Sequence, residues 1–325
     1  MNIYNTIQTR LDRGQGSTLL SHYTPQGIRR TLLEETPPEP GLSFTQEGDI
    51  LTLNEVYLPQ PRLVILGGGH VALPLCHFAA RLGFDVWVYD DRPSFANPTR
   101  FPDAHTVICD DFAHMSHRLG LRRTDYVTVL TRGHRHDISC LTTILQGDEV
   151  PHYLGMIGSK RRIAIVKEEV SAAIGHTERL DALYAPIGLS IGSVTPEEIA
   201  LSILAEIVQV KRLAPDGRKR TQEDTVDRDL LHWLSAPDRP PAALVTIVST
   251  TGSTPRETGA KMAVTATGQT IGSIGGGCAE ADAIRRARDI LDEGGHTLLT
   301  VDLADTAEEE GMVCGGTLVV LIEAL

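Results

Sequence analysis

From Arg62 onward the chain alternates short, mainly apolar runs with stretches whose apolar residues recur every three or four positions. Residues 63–66, 84–89, 105–109, 126–130 and 153–157 read as buried strands, since they are short and bounded by turn residues. Between them, 71–82, 112–119, 138–145 and 160–173 carry helical spacing, the first closed by Gly83. A last helix over 196–212 has the strongest start signal: Thr195 as N-cap, Pro196 at the first helical position, and Glu197 and Glu198 at the positive end of the helix dipole. This alternation predicts a Rossmann-like, doubly wound parallel-sheet α/β domain over residues 61–212.

The flanks follow another pattern. Residues 1–60 hold strand-like runs at 16–22 and 50–57 with turn punctuation at Pro37-Pro38-Glu39-Pro40-Gly41, and are too few to bury a core alone. They are expected to associate with the C-terminal part. Residues 213–241, rich in charge and proline, are expected to be a linker, and 242–325 a smaller, mainly β (α+β) domain with one helix near 279–291.

Composition narrows the class. A length of 325 residues suits two domains, and 41% hydrophobic with 22% charged residues excludes a disordered or collagen-like chain. The formal charge of −12 argues against a nucleic-acid partner bound through a general basic field, while leaving room for local cationic pockets. No apolar run reaches the ~18 residues of a membrane span, and residues 1–14 lack a signal-peptide pattern, so a cytoplasmic protein is expected. Cys76, Cys109, Cys140, Cys278 and Cys314 are scattered, with no C-x-x-C pair, which suits reduced thiols and predicts no structural metal.

Candidate chemistry sits at strand ends. Gly67-Gly68-Gly69-His70-Val71-Ala72 follows a strand and opens a helix, fitting G-x-G-x-x-A, where a pyrophosphate can approach the helix N-terminus. Asp90 ends the next strand, placed to accept from ribose hydroxyls. The loop alone does not decide between NAD, FAD and another nucleotide-bearing cofactor, and its glycines could also serve only helix–strand packing. Thr131-Arg132-Gly133-His134-Arg135-His136-Asp137 reads as a recognition loop at the carboxyl edge of the sheet, with a metal site from His134, His136 and Asp137 as one alternative and a solvated turn as another. Gly158-Ser159-Lys160-Arg161-Arg162 opens a helix, and cations there are unfavourable to the dipole, which suggests an anionic ligand, with a basic first turn of a surface helix as the alternative. Near the C-terminal end, Gly252-Ser253-Thr254-Pro255-Arg256 is answered by Gly275-Gly276-Gly277-Cys278-Ala279-Glu280. Bare glycine N–H groups, an arginine and a thiol together predict an anion cradle.

These segments resemble the XdhC/CoxI family of xanthine dehydrogenase accessory factors. Leu66 to Ala72, Tyr89-Asp90-Asp91-Arg92, Thr131 to His134 with Asp137, Gly155-Met156-Ile157-Gly158-Ser159-Lys160-Arg161, Pro186-Ile187-Gly188-Leu189 and Thr195 to Ala200 are similar to its Rossmann half. Gly252 to Arg256, Gly259 to Met262, Ile274 to Glu280 and Gly311 to Gly316 resemble its other domain. The resemblance implies a molybdenum-cofactor binding, sulfuration and insertion factor, a chaperone more than a catalyst, whose cofactor is molybdopterin or its dinucleotide form. It implies an apo molybdenum hydroxylase and a cysteine desulfurase as partners. It places phosphates on Arg256, the 275–277 N–H groups and Lys160-Arg161, lets Glu280 either orient a pterin N–H or start a helix, and makes Cys278 a candidate sulfur relay. Cys278 and Cys314 approach the metal in this reading, or are small buried residues in the bland one. The alternative is an NAD(P)- or FAD-dependent oxidoreductase using the 67–72 loop. The domain order is the reverse of the family's usual one, which implies a circular permutant with neighbouring ends and suggests a homodimer.

Overall fold

The computed structural model describes residues 2–33, 41–175, 178–213, 227–302 and 316–325. Two compact units divide the chain: Gln60–Arg220 is one, and Met1–Pro59 with Thr221–Leu325 is the other.

The chain opens with α1 (Ile3–Asp12), capped by the Asn2 side chain, and four strands, β1 (Ser17–Thr24), β2 (Gly27–Leu33), β3 (Gly41–Glu47) and β4 (Ile50–Tyr57). They form an antiparallel sheet in the order β2-β1-β4-β3. Neither α1 nor β2 and β3 is read from the sequence, because their apolar residues are few and only their tertiary partners bury them.

The Rossmann-like unit follows, with β5 (Arg62–Leu66), α2 (Ala72–Arg81), β6 (Asp85–Asp90), β7 (Thr106–Cys109), α3 (Met115–Leu119), β8 (Tyr126–Val129), α4 (His134–Gln146), β9 (Tyr153–Met156), α5 (Lys160–Ile174), α6 (Glu178–Asp181) and α7 (Pro196–Arg212). All of its strands pair in parallel, in the order β7-β6-β5-β8-β9. The chain therefore reverses direction across the sheet between β5 and β8, the position where open α/β folds bind ligands beyond the strand ends. One face packs on α4 and α5 through Val64, Val127, Leu141 and Val166, the other on α2 and α7 through Ile65, Leu75, Ile203 and Ile207. The expected helix over 112–119 is split, with a 3-10 turn at Phe112–His114 preceding α3. The start of α7 carries the full capping box, in which Thr195 accepts from Glu198 N while Glu198 accepts from Thr195 N.

The remainder returns to the first unit. Residues 228–235, expected to be linker, form α8 (Arg228–Ser235). Asp227 caps it by accepting from Asp229 N and Leu230 N, and Leu230, Leu231 and Leu234 bury a narrow apolar stripe beside Tyr4 and Ile7 of α1. Its proline- and charge-rich surroundings hide so short a helix. Then come β10 (Ala242–Thr251), β11 (Lys261–Thr265), β12 (Thr270–Gly272), α9 (Gly277–Glu293), β13 (His296–Asp302) and β14 (Thr317–Ala324), the strands in antiparallel order β12-β11-β10-β14-β13. α9 covers one face with Ala283, Ala287 and Ile290. On the other face Val248 and Leu321 meet Tyr23, Leu51 and Leu53 of the N-terminal sheet.

Two ion pairs tie these distant chain segments together: Arg30 with Glu323, and Lys261 Nζ with Glu55 Oε1 at 2.5 Å. Burial pushes the Glu323 carboxyl up, against the pull of Arg30. Met1 lies outside the described residues, but Ile3, Tyr4 and Leu325 share one apolar cluster.

Candidate functional site

The loops at the carboxyl edge of the parallel sheet are built from contacts that begin at Gly67. Its φ of +112° suits glycine, and a Cβ there would lie 2.5 Å from Leu130 O. At Gly68 a Cβ would lie 2.2 Å from Phe95 O. These two glycines are thus fixed by backbone packing against the loops after β8 and β6. Gly69 is different: a Cβ there meets nothing within 4 Å. It sits just before α2, whose N-terminus no side chain caps, and His70 beside it is exposed. A bare position at an uncapped helix start is open to an anion.

Asp90 does not face a ligand. The side chain is 2% exposed, and its oxygens accept from Gly68 N at 2.8 Å, Arg92 N at 3.0 Å, Arg92 Nε at 2.8 Å and Arg92 Nη2 at 2.9 Å. It shapes the glycine loop, and Arg92, which also lies 3.6 Å over the Phe95 ring, is pinned with it. This corrects the expectation that Asp90 receives ribose hydroxyls. Its half-buried neighbour Asp91 instead takes a two-pronged pair from Arg132 at 2.5 and 2.8 Å. Hydrogen bonding from Arg132 holds the Asp91 carboxyl down to about 2.

The expected loop over 131–137 is in part helix, since α4 already starts at His134. His134 and Arg135 are exposed, whereas Asp137 is fully buried and accepts from Thr131 Oγ1 at 2.5 Å and Arg162 Nε at 2.7 Å. Burial raises the Asp137 carboxyl, opposed by Thr131 and Arg162. His136 packs its ring 5.3 Å from Phe112. So the residues weighed as a metal set are separated in role, and among the described residues no group of three or more His, Cys, Asp or Glu could hold a metal ion. Ser159 caps α5 by accepting from Arg162 N, leaving Lys160 and Arg161 exposed in the first turn with no ion pair among the described residues.

The second glycine loop is assembled as the sequence suggests but already holds an anion. A Cβ on Gly275 would lie 2.4 Å from Pro255 Cγ, and one on Gly316 2.5 Å from Ser253 O, so the 251–256, 273–277 and 316 segments converge. Arg256 packs along Gly275. Yet of the N–H groups expected to cradle phosphate, that of Gly275 faces the chain's own Glu280, whose Oε1 accepts from Ser273 Oγ at 2.6 Å, Ile274 N at 2.9 Å and Gly275 N at 3.2 Å. Burial would raise the Glu280 carboxyl, but bonds from Ser273 and the backbone of Gly276, Ile274 and Gly275 outweigh it and hold it low. The expectation is corrected for Gly275 and Gly276, whose N–H groups bond Glu280, while a Cβ on Gly276 would meet nothing within 4 Å. Gly277 and Cys278 are the first two residues of α9, and Cys314 lies outside the described residues.

Sequence reasoning misses Asp91 and Ser273, and places Thr131 and Arg162 at the sheet edge without their pairing to Asp137. Asp91 is overshadowed by the better-spaced Asp90, and the Asp137–Arg162 contact joins residues with no local signal. Ser273 could be found, because a serine ahead of a glycine run with an acid beyond it is a self-capping pattern.

A doubly wound α/β domain with an open glycine loop, joined to an antiparallel unit with a self-filled one, is the class of molecule described so far. Comparison with known proteins makes this specific. The XdhC Rossmann domain model matches residues 63–207, and the model of the XdhC and CoxI family matches residues 236–302. The chain belongs to the XdhC/CoxI family. The uncharacterized protein YqeB of Escherichia coli K12 is 35% identical over 159 residues, which are 49% of this chain and 29% of that one. A probable xanthine dehydrogenase subunit from Bacillus subtilis 168 is 32% identical over 154 residues, 47% of this chain and 44% of that one. The chain thus matches less than half the length of either relative. The crystal structure of a xanthine dehydrogenase from Bacillus halodurans superposes with a TM-score of 0.52 at 28% identity, covering 64% of this chain and 65% of that one. No helix among the described residues is long and apolar enough to cross a membrane.

Proposed function

We propose that this protein is a maturation factor for a molybdenum hydroxylase such as xanthine dehydrogenase, which binds the molybdenum cofactor and hands it to the apo-enzyme. Family membership supports the class of role, and the observation that carries the binding site is Gly69, bare and unobstructed at the uncapped start of α2. A phosphate-bearing pterin fits there: the α2 N–H groups and dipole take the phosphate, and exposed Lys160 and Arg161 on the same sheet edge add positive charge. Asp90 and Asp137 keep the surrounding loops in place. When bound, the group supplies a dithiolene-held molybdenum whose terminal sulfur the target hydroxylase needs. The sulfur comes, in this reading, from a cysteine desulfurase partner, with Cys278 as its relay.

The full chain, purified from cells that make the cofactor, is expected to retain a phosphorylated pterin, detected as its fluorescent oxidation product. Gly69→Val is expected to lower retention at least tenfold, and Arg256→Ala to lower it less. Equal retention in wild type and Gly69→Val removes the site assignment, and absence of pterin from wild type removes the function. Titration with NAD(P) or FAD separates the oxidoreductase alternative, which requires tight nucleotide binding. Full activation of the hydroxylase by Cys278→Ser excludes the relay.

A further inference from the structure

The Asp91–Arg132 pair stands apart from the other charges of the Rossmann-like unit because of what lies beneath it. Asp91 follows β6 and Arg132 follows β8, and β5, the strand that feeds the glycine loop, runs between those two strands. Adjacent strands lie about 4.8 Å apart, so the pair spans two inter-strand spacings over the end of β5. The glycine loop is wedged between the same flanks, Gly67 against Leu130 and Thr131, Gly68 against Phe95. Two side chains thus bridge the crevice at the topological switch point.

The neighbouring acids differ from this bridge in burial. Asp90 and Asp137 are buried, and each bonds to groups that hold its own loop. Asp91 is 22% and Arg132 41% exposed, and Asp91's remaining ion pair, to Arg92 Nε, is long at 3.8 Å. Because the pair reaches solvent on the Arg132 side, its members can exchange partners without leaving a fully buried charge unpaired. Its chemistry does match the adjoining loop: a guanidinium that grips a carboxylate with two parallel bonds grips a phosphate in the same way.

We propose that the Asp91–Arg132 pair is a displaceable latch across the glycine loop, in which a phosphate ester or phosphoanhydride seated at Gly69 takes Arg132 from Asp91. Asp91 is then an internal competitor that sets the affinity threshold, and Arg132 is the ligand's second anchor beside the α2 N-terminus. Ligands without a phosphate gain nothing from opening the pair. The inference rests on the glycine loop being the phosphate site, and its test separates the two.

Inorganic pyrophosphate is titrated into the full-length wild type, Asp91→Asn, Arg132→Gln, the double variant and Gly69→Val by calorimetry at low salt. Asp91→Asn is expected to bind about tenfold tighter than wild type and Arg132→Gln about tenfold weaker, within the usual range of coupling between sites. The double variant is expected to match Arg132→Gln, because Asp91 acts only by holding Arg132. Unchanged, weaker or undetectable binding in Asp91→Asn overturns the latch. So does equal tightening by Asp91→Asn with and without Arg132, which makes Asp91 a mere source of repulsion. If Gly69→Val binds like wild type, the loop is not the phosphate site and the latch falls with it. If Gly69→Val abolishes binding while Asp91→Asn changes nothing, the site stands and only the latch fails. Thermal melts of each variant confirm that the fold is intact.

Discussion

The molecule carries two glycine triplets that look alike in sequence and differ in what they face. At Gly67–Gly69 the first two glycines are consumed by packing, and the third is open before an uncapped helix. At Gly275–Gly277 the neighbouring N–H groups are turned onto Glu280. A glycine run is therefore not in itself a site for an external anion. Whether the chain supplies its own carboxylate decides, and that depends on one acid a turn into the following helix.

The largest effect that can break this comparison lies within the first triplet. Gly67→Ala must place a Cβ against Leu130 O at a φ of +112°, and is expected to cost about 3 kcal/mol or more in urea unfolding. Gly69→Ala is expected to stay within about 0.5 kcal/mol of wild type, because nothing is in its way. Equal costs at the two positions would mean that Gly69 too is a packing residue.

Next in size is Glu280→Ala, which removes the acceptor of Ser273 Oγ and Ile274 N and one of the two acceptors of Gly275 N, the other being Ser273 Oγ at 3.1 Å, and is expected to cost about 2 kcal/mol at neutral pH. Because the folded-state carboxyl is held low, its contribution is present above the unfolded value of about 4.3 and is lost as pH falls through the lower folded value. The gap between wild type and Glu280→Ala is thus expected to narrow in urea titrations below about pH 4. A gap independent of pH would mean that Glu280 does not act as an anion.

Smaller effects belong to the rim. Lys160→Ala and Arg161→Ala are each expected to weaken pyrophosphate binding by up to about fivefold, with the difference vanishing in high salt. An effect that survives high salt would mean a direct, desolvated contact rather than a field.

The sequence made the parallel sheet legible because its central strands are buried on both faces and so read as short apolar runs, unbroken at Leu63 to Leu66 and interrupted only by Thr128 at Tyr126 to Leu130. The capped start of α7 was equally plain. Elements whose burial depends on remote partners were not: α1 and α8 pack on each other across more than two hundred residues of chain. At the site, spacing found the loops but misassigned their acids. Asp90, at the expected distance from Gly67, turned inward to Gly68 N, and its half-buried neighbour Asp91 was left to pair with Arg132. Local sequence sets which residues are near a strand end, while side-chain competition for buried donors sets which of them face out.

The most direct measurement is a pyrophosphate titration of the full chain followed by backbone amide NMR. The account predicts shifts concentrated at Gly69, His70, Val71 and Ala72, with Ile274, Gly275 and Gly276 unmoved until Glu280 is replaced. Shifts centred on residues 274–276 in the wild type, with 69–72 silent, would contradict it.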